Sequence, residues 1–445
     1  MNHDGIITNS PPLALESTAN NKNKGLGMSD SAASGSSADA KGPEMASLFR
    51  PGQRVFVAGS ANEPTALLAE LAQTALPADL HYLHFPLPGY NRIDFTQFSP
   101  NAHMTTFFMS PDLRNAVPER LHFLPMQMRA VYDYLSADVD VFVLQVARDA
   151  NGELRLGPNV DFAEAALACA DVVIAELNLD FVAPAGGLKI AAERIDYLFE
   201  SHRDLYEMPP PKINAAAEQI GALVADLIND GDCLQTGIGG IPAAILARLT
   251  EKNDLGMHSG LIDDGGMALI RAGNLTGSNK PIDQSVHTAG MALGSREFID
   301  WLAHTPSVRF RGANYTHEVG VIGQLPNFVS VNSAVEIDLF GQVNAEFAGG
   351  RQISGTGGSV DFMRGAKASA NGRSIVAMNA TAKAGTVSRI VTKVELVTAL
   401  RTDVDIVVTE FGVAQLKDLP ADARARALIE IAAPQFRDEL LEQLP

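Results

Sequence analysis

The chain has 445 residues, 46% of them hydrophobic and 19% charged, and a formal net charge of −18. That length and apolar content suffice for two α/β domains with substantial cores, whereas the acidic balance, with no basic stripe to offset it, excludes a non-specific nucleic-acid binder. An anionic small ligand is not excluded, because a few local amides and one or two cations hold a phosphate whatever the total charge.

Residues 1–49 are rich in Ser, Ala, Asn, Gly and Lys, with SDSAASGSSADAKG as their clearest low-complexity piece, and are expected to form a disordered tail. The opening MNHDGIITNSPPLALES lacks the basic start and apolar stretch of a secretory signal. Apolar runs such as Val141–Val146 and Val172–Ala175 are too short to span a bilayer. With only Cys169 and Cys233 present, the expectation is a cytoplasmic protein with reduced thiols and no membrane association.

From Gln53 onward, short β-rich runs alternate with amphipathic helical stretches: RVFVAG, a helix over Pro64–Leu71, VDVFVLQV, the helical FAEAALACA, then DVVIAELN. The proline-rich EMPPPK breaks the pattern, and INAAAEQIGALVADLI opens a second unit as a helix. The second unit repeats the alternation, with strands at CLQT, FVSVNSAVEIDLF, SIVAM and DIVVTE. The predicted fold is α/β: an N-terminal domain over 50–210 and a C-terminal domain over 211–445, each a mostly parallel sheet with flanking helices, separated by a cleft.

Two glycine loops interrupt the second unit. In GDCLQTGIGGIPAAILARL, Gly237, Gly239 and Gly240 lie between a strand and a helix that carries Pro242 in its first turn. Glycines there let amides approach a ligand, and the helix start presents unpaired N–H groups to an anion or carbonyl oxygen, although a tight turn needs no more than this. The spacing lacks the third glycine of a dinucleotide fingerprint. In SGTGGSVDF, the glycines around Gly358 can turn consecutive amides toward one point, as an oxyanion hole requires, or form a flexible connection. Between the loops, FVSVNSAVEIDLFGQV reads as one strand, with Val331, Ser333, Val335, Ile337 and Leu339 on one face and Asn332, Ala334, Glu336 and Asp338 on the other. Such an acidic face serves a cleft or simply meets solvent.

The segments GIGGIPAAILARL, LGMHSGLIDDGG, VNSAVEIDLFGQV, SGTGGSVDFMRGA, ATAKAGTVSRIV, VVTEFGVAQL and RARALIEIAAPQFR occur in the order and approximate spacing of the acetyl-CoA hydrolase/transferase family, which this chain resembles. The first half carries a looser likeness in FVAGSANEP, FFMSPDLRNAV, LGPNVDFAEAA and VVIAELN. The resemblance implies a CoA-transferase-type fold that takes acyl-CoA and a small carboxylic acid as substrates, with no metal and no tightly bound cofactor. It also implies a ping-pong reaction through a mixed anhydride and a glutamyl-CoA thioester. By the same resemblance, CoA contacts fall on Gly237, Ile238, Gly239, Gly240 and Ile241, on Val335, on Gly358 and on Lys383. A homodimer is expected by analogy.

One departure changes the chemistry. The resemblance implies a nucleophilic glutamate directly after His258-Ser259, but the chain has Gly260 there, which carries no side chain. Three consequences remain open. Another carboxylate could act: Glu336 is the favoured candidate, ahead of Asp263 and Asp264, while Glu63 and Glu176 read as structural groups. The cleft could instead activate water, making an acyl-CoA hydrolase. Or the chain could be a non-catalytic acyl-CoA-binding protein. His258 and His287 read as satisfied structural histidines. LPGYNRIDF and MTTFFMSPDLRNAV supply apolar residues that suit an acyl pocket or a core equally.

Overall fold

The computed structural model describes residues 41–444. The N-terminal half forms a sheet of eight strands. Seven are parallel, in the order Leu121–Phe123, His103–Thr106, His81–His84, Arg54–Val57, Val141–Arg148, Val172–Val182 and Tyr197–Ser201, and Leu154–Leu156 adds antiparallel to Val141–Arg148. The central strand Val141–Arg148 is buried without a break through Ala147, apolar apart from Gln145, because both of its faces are covered. Phe56, Phe142 and Leu144 enter one core, while Val55, Val57, Val141 and Val143 enter another on the opposite face, as the two-residue period of a strand demands.

The second half builds a sheet of six strands: Gly256–Met257, Cys233–Thr236, Phe328–Asn332, Arg373–Ala377 and Ile406–Thr409 in parallel, closed by the antiparallel Gly412–Gln415. The helices Ala215–Leu227 and Gly240–Ala247 approach so closely that a Cβ on Gly221 would stand 2.8 Å from the Ala244 backbone. One apolar cluster runs through both halves, from Phe56 and Phe142 to Leu234, Val331 and Ile406. The segment EMPPPK has no regular secondary structure.

Two expectations need correction. The disordered tail predicted over 1–49 does not extend through its last residues: Lys41–Ala46 is helical, and Met45 and Phe49 are buried against Val55, Leu67 and Leu68. The part of that expectation covering 1–40 lies outside the described residues. The strand read through FVSVNSAVEIDLF is two strands in two sheets, Phe328–Asn332 and Glu336–Asp338. The break at Ser333–Val335 is held by the Arg389 guanidinium, which donates to the carbonyls of Ala334 and Val335. Asp338 is fully buried, accepting from the amides of Phe340, Gln342 and Val394, and so does not belong to a solvated acidic face. Among the described residues no helix is long and apolar enough to cross a membrane.

Candidate active site

The first glycine loop turns the Cys233–Thr236 strand into the Gly240–Ala247 helix. Gly239 has φ +112°, a conformation that demands glycine. The space beside Gly237 and Gly239 is open, with nothing within 4 Å of a Cβ on either, and Ile238 is 41% exposed. Gly240 is instead held by packing, its Cβ position 2.6 Å from the Lys212 carbonyl oxygen. Ile241 follows in the first turn of the helix. Ser259 Oγ donates to the Thr236 carbonyl at 3.3 Å, which brings Gly260 beside the start of this loop.

The second glycine loop leads into the Ser359–Ala368 helix, with Gly358 at its start. It is stitched to the N-terminal half: Met109 N donates to Ser354 O at 3.3 Å, Met128 N to Gly357 O at 3.2 Å, and Thr356 Oγ1 to Met126 O at 2.7 Å. Arg129 adds an ion pair to Glu318 at 2.7 Å and a backbone donation to Asp361 at 3.2 Å. The loop therefore lies where the two halves meet.

Gly260 and Gly358 converge on one residue that the sequence did not single out. A Cβ on Gly260 would stand 3.1 Å from His317 Nε2, and one on Gly358 would stand 2.3 Å from the same atom. His317 is 1% exposed, and Phe362 packs on its ring with centroids 4.5 Å apart. Its Nδ1 lies 2.8 Å from Thr316 Oγ1, and that hydroxyl also reaches the Gly312 carbonyl at 3.2 Å. With the Thr316 proton on Gly312 O, Nδ1–H donates to Thr316 Oγ1 and Nε2 keeps its lone pair. Burial, helped by neighbouring His258, lowers the imidazole pKa to about 3, so the ring is neutral.

On its other side Gly260 is tied to Gly290 and Met291, whose amides donate to its carbonyl at 3.1 and 3.0 Å. Met291 lines a cavity of about 40 Å³ just beyond the carboxyl end of the Arg54–Val57 strand. Phe56, Phe85, Phe142 and Phe162 form apolar walls, and Ser60, Asn62, Asn159 and Asp161 are the polar groups. Phe85 and Leu87 are lining residues drawn from or beside the segment LPGYNRIDF, while Phe107 and Phe108 of MTTFFMSPDLRNAV pack behind Phe85.

Asp161 is 3% exposed, Oδ1 has no hydrogen-bond partner, and burial alone pushes its pKa up to about 7. Gly290 admits this carboxyl only because it lacks a side chain, since a Cβ there would be 2.0 Å from Oδ1. Glu63, in the same half, also rises to about 7, mainly by burial; its Oε1 accepts no hydrogen bond and lies 3.7 Å from His84 Nε2.

The remaining sequence candidates sit elsewhere or are occupied. Glu336 accepts from Asn344 Nδ2 at 2.9 Å, and its atoms are not among the three nearest to a Cβ at 260, all of which belong to His317 and Phe362. Val335 donates to Asn344 O at 2.8 Å and accepts from Arg389 Nε at 2.6 Å. Lys383 is exposed at a hairpin tip with φ +48°. Val335, Glu336 and Lys383 lie around the Arg389 hairpin. Asp263 caps the Asp264–Ala272 helix through the Gly266 amide, and Asp264 accepts from the Ser295 amide and hydroxyl. Glu176 is fully buried, accepting from the amides of Ala66 and Leu67 and pairing with Arg203. His258 Nε2 lies 3.0 Å from Thr316 O, and His287 is buried with Nδ1 unpartnered.

The fold and these site residues can be compared with known proteins. Residues 40–205 match the acetyl-CoA hydrolase/transferase N-terminal domain and residues 294–444 the C-terminal domain. The chain is 41% identical over 401 residues to a 4-hydroxybutyrate coenzyme A transferase of Clostridium kluyveri, covering 88% of this chain and 93% of that one. The chain belongs to the acetyl-CoA hydrolase/transferase family. Among solved structures, RipA from Yersinia pestis superposes with a TM-score of 0.84 at 32% identity, over 90% of this chain and 96% of RipA. A 4-hydroxybutyrate CoA-transferase from Porphyromonas gingivalis superposes at 0.74 and 32% identity, over 90% of this chain and 95% of that one. The two-part α/β fold is thus that of a CoA-transferase, and the chain is an enzyme of the CoA-transferase and acyl-CoA hydrolase kind.

Proposed function

We propose that the protein cleaves a short-chain acyl-CoA at the junction of its halves and delivers the acyl group to water. In this reading the acyl chain occupies the cavity walled by Phe85, Phe162 and Met291, whose volume of about 40 Å³ suits a small group. The thioester carbonyl lies between Gly260 and Gly358, and the CoA moiety extends past the open first glycine loop. The carrying observation is the environment of position 260. No carboxylate stands there to hold a glutamyl-CoA intermediate, and the nearest side chain is a buried neutral imidazole.

One observation favours a second reading. Asp161 is desolvated and unpartnered in the same cavity, which is the state a carboxylate needs in order to attack a thioester. It would make the enzyme a transferase passing through an aspartyl intermediate.

Mass spectrometry of the purified protein with a panel of acyl-CoAs, each with and without a pool of carboxylic acids, tests both. Release of CoA independent of added acid supports the hydrolase, and new acyl-CoA species appearing only with acid support the transferase. Binding of CoA without turnover across the panel would leave an acyl-CoA-binding protein and defeat both readings.

A further inference from the structure

We propose that His317 is the catalytic base of this enzyme, standing in the space that a side chain at position 260 would enter. The inference rests on the hydrolytic reading above. Its first support is placement. Two glycines from distant segments, Gly260 and Gly358, both present their bare Cα to Nε2, so the imidazole stands between the segment after His258-Ser259 and the second glycine loop. Backbone conformation does not demand glycine at either place, since neither residue has a positive φ. A Cβ at Gly358 would overlap Nε2, and one at Gly260 would press on it.

The second support is the state of the ring. Nδ1 is engaged by Thr316 Oγ1, Phe362 packs on the ring, and Nε2 has no hydrogen-bond partner among the described residues. With Nδ1 engaged, the Nε2 lone pair is the one free to take a proton from a reacting water. The third support is the neighbouring helix. Ser359–Ala368 begins at Gly358, and its first amides offer a positive dipole end to an oxyanion formed beside Nε2. The titratable groups close to the ring are His258, which bonds to Thr316 O, and, across Gly260 and Gly290, Asp161. In the empty site burial keeps the ring unprotonated, and the negative charge that develops on the oxyanion opposes that burial penalty as the proton arrives.

The step balances. Nε2 takes a proton from water as the water oxygen bonds to the thioester carbon. The C–S bond then breaks with its electron pair leaving on sulfur, and the thiolate recovers the proton from Nε2. The products are the free acid and CoA thiol.

The test is steady-state CoA release by the full chain, for wild type, His317→Gln and His317→Ala, with far-UV circular dichroism melts of each. His317→Gln should lose about 100-fold or more in kcat, the span usual for a general base, with KM for acyl-CoA kept. Added imidazole should restore part of the rate to His317→Ala and none to wild type. Should His317→Gln fail to fold, Gly260→Ala replaces it: its methyl crowds Nε2 from 3.1 Å and should lower kcat in the same way. Wild-type hydrolysis that survives in His317→Gln within a few-fold overturns the inference alone. Absence of acid-independent CoA release from wild type overturns the hydrolytic reading and the inference with it.

Discussion

Replacing Asp161 with asparagine tests whether the cavity carboxyl holds its proton near neutral pH. Burial raises its pKa from 3.8 to about 7 in the folded protein, whereas in the unfolded chain it ionises near its ordinary value. Below the unfolded pKa both states are protonated and the group costs nothing. As pH rises, the unfolded chain ionises first, and the folded state falls behind by about 1.4 kcal/mol per pH unit until about pH 7, above which the penalty is constant at about 4 kcal/mol. The asparagine variant cannot ionise there. Its stability relative to wild type should therefore grow by roughly 3 kcal/mol between about pH 5 and pH 8. Glu63 and Asp361, also raised to about 7 by burial, bend both curves alike and cancel in the difference. Urea denaturation of both full-length proteins across that range, followed by circular dichroism, provides the measurement. Wild-type and variant stabilities that run parallel with pH would refute the buried, unpartnered carboxyl.

Gly358→Ala places a methyl 2.3 Å from His317 Nε2 and 3.2 Å from the Phe362 ring. Overpacking of that kind should cost about 1–3 kcal/mol in urea denaturation, and an unchanged midpoint would mean the imidazole is not held against the loop. Glu176→Gln leaves the Arg203 charge without its buried partner and weakens the cap on Ala66 and Leu67. The expected loss is about 3–5 kcal/mol, seen as unfolding at much lower urea. Lys383→Ala, at an exposed hairpin tip, should change stability by less than about 0.5 kcal/mol. If the CoA contact implied by the resemblance holds, the same variant raises KM for acyl-CoA at constant kcat, and a fall in kcat at constant KM would contradict it.

The alternation of strands and helices was readable because the inner parallel strands are buried on both faces and the covering helices on one. The run Phe328–Leu339 defeated the same rule. Its alternation is continuous, but the chain changes sheets at Ser333–Val335, where Arg389, remote in sequence, takes the carbonyls. Glu336 was attractive for its place beside Val335, yet it is engaged by Asn344 across a hairpin turn that the pattern did not announce. The glycine loops were visible as loops. The convergence of Gly260 and Gly358 on His317 was not, because His317 stands in NYTHEV as an ordinary polar-flanked histidine. Asp161 lies inside a segment that had been noticed, LGPNVDFAEAA, but its lack of a partner emerges only when Gly290 folds against it.

The convergence of Gly260 and Gly358 on His317 bears on what a side chain at position 260 would meet. Here the space beside Gly260 is filled by His317, with Phe362 behind it. The ring that fills it is not an inert plug: one nitrogen is fixed by Thr316, and the other faces the bare Cα atoms of two glycines. The two contacts differ in degree: a Cβ at 358 would clash with the imidazole outright at 2.3 Å, while one at 260 would press on it at 3.1 Å. Gly260→Glu should therefore disturb the His317 ring, and an unchanged rate of CoA release in that variant would count against the imidazole as base.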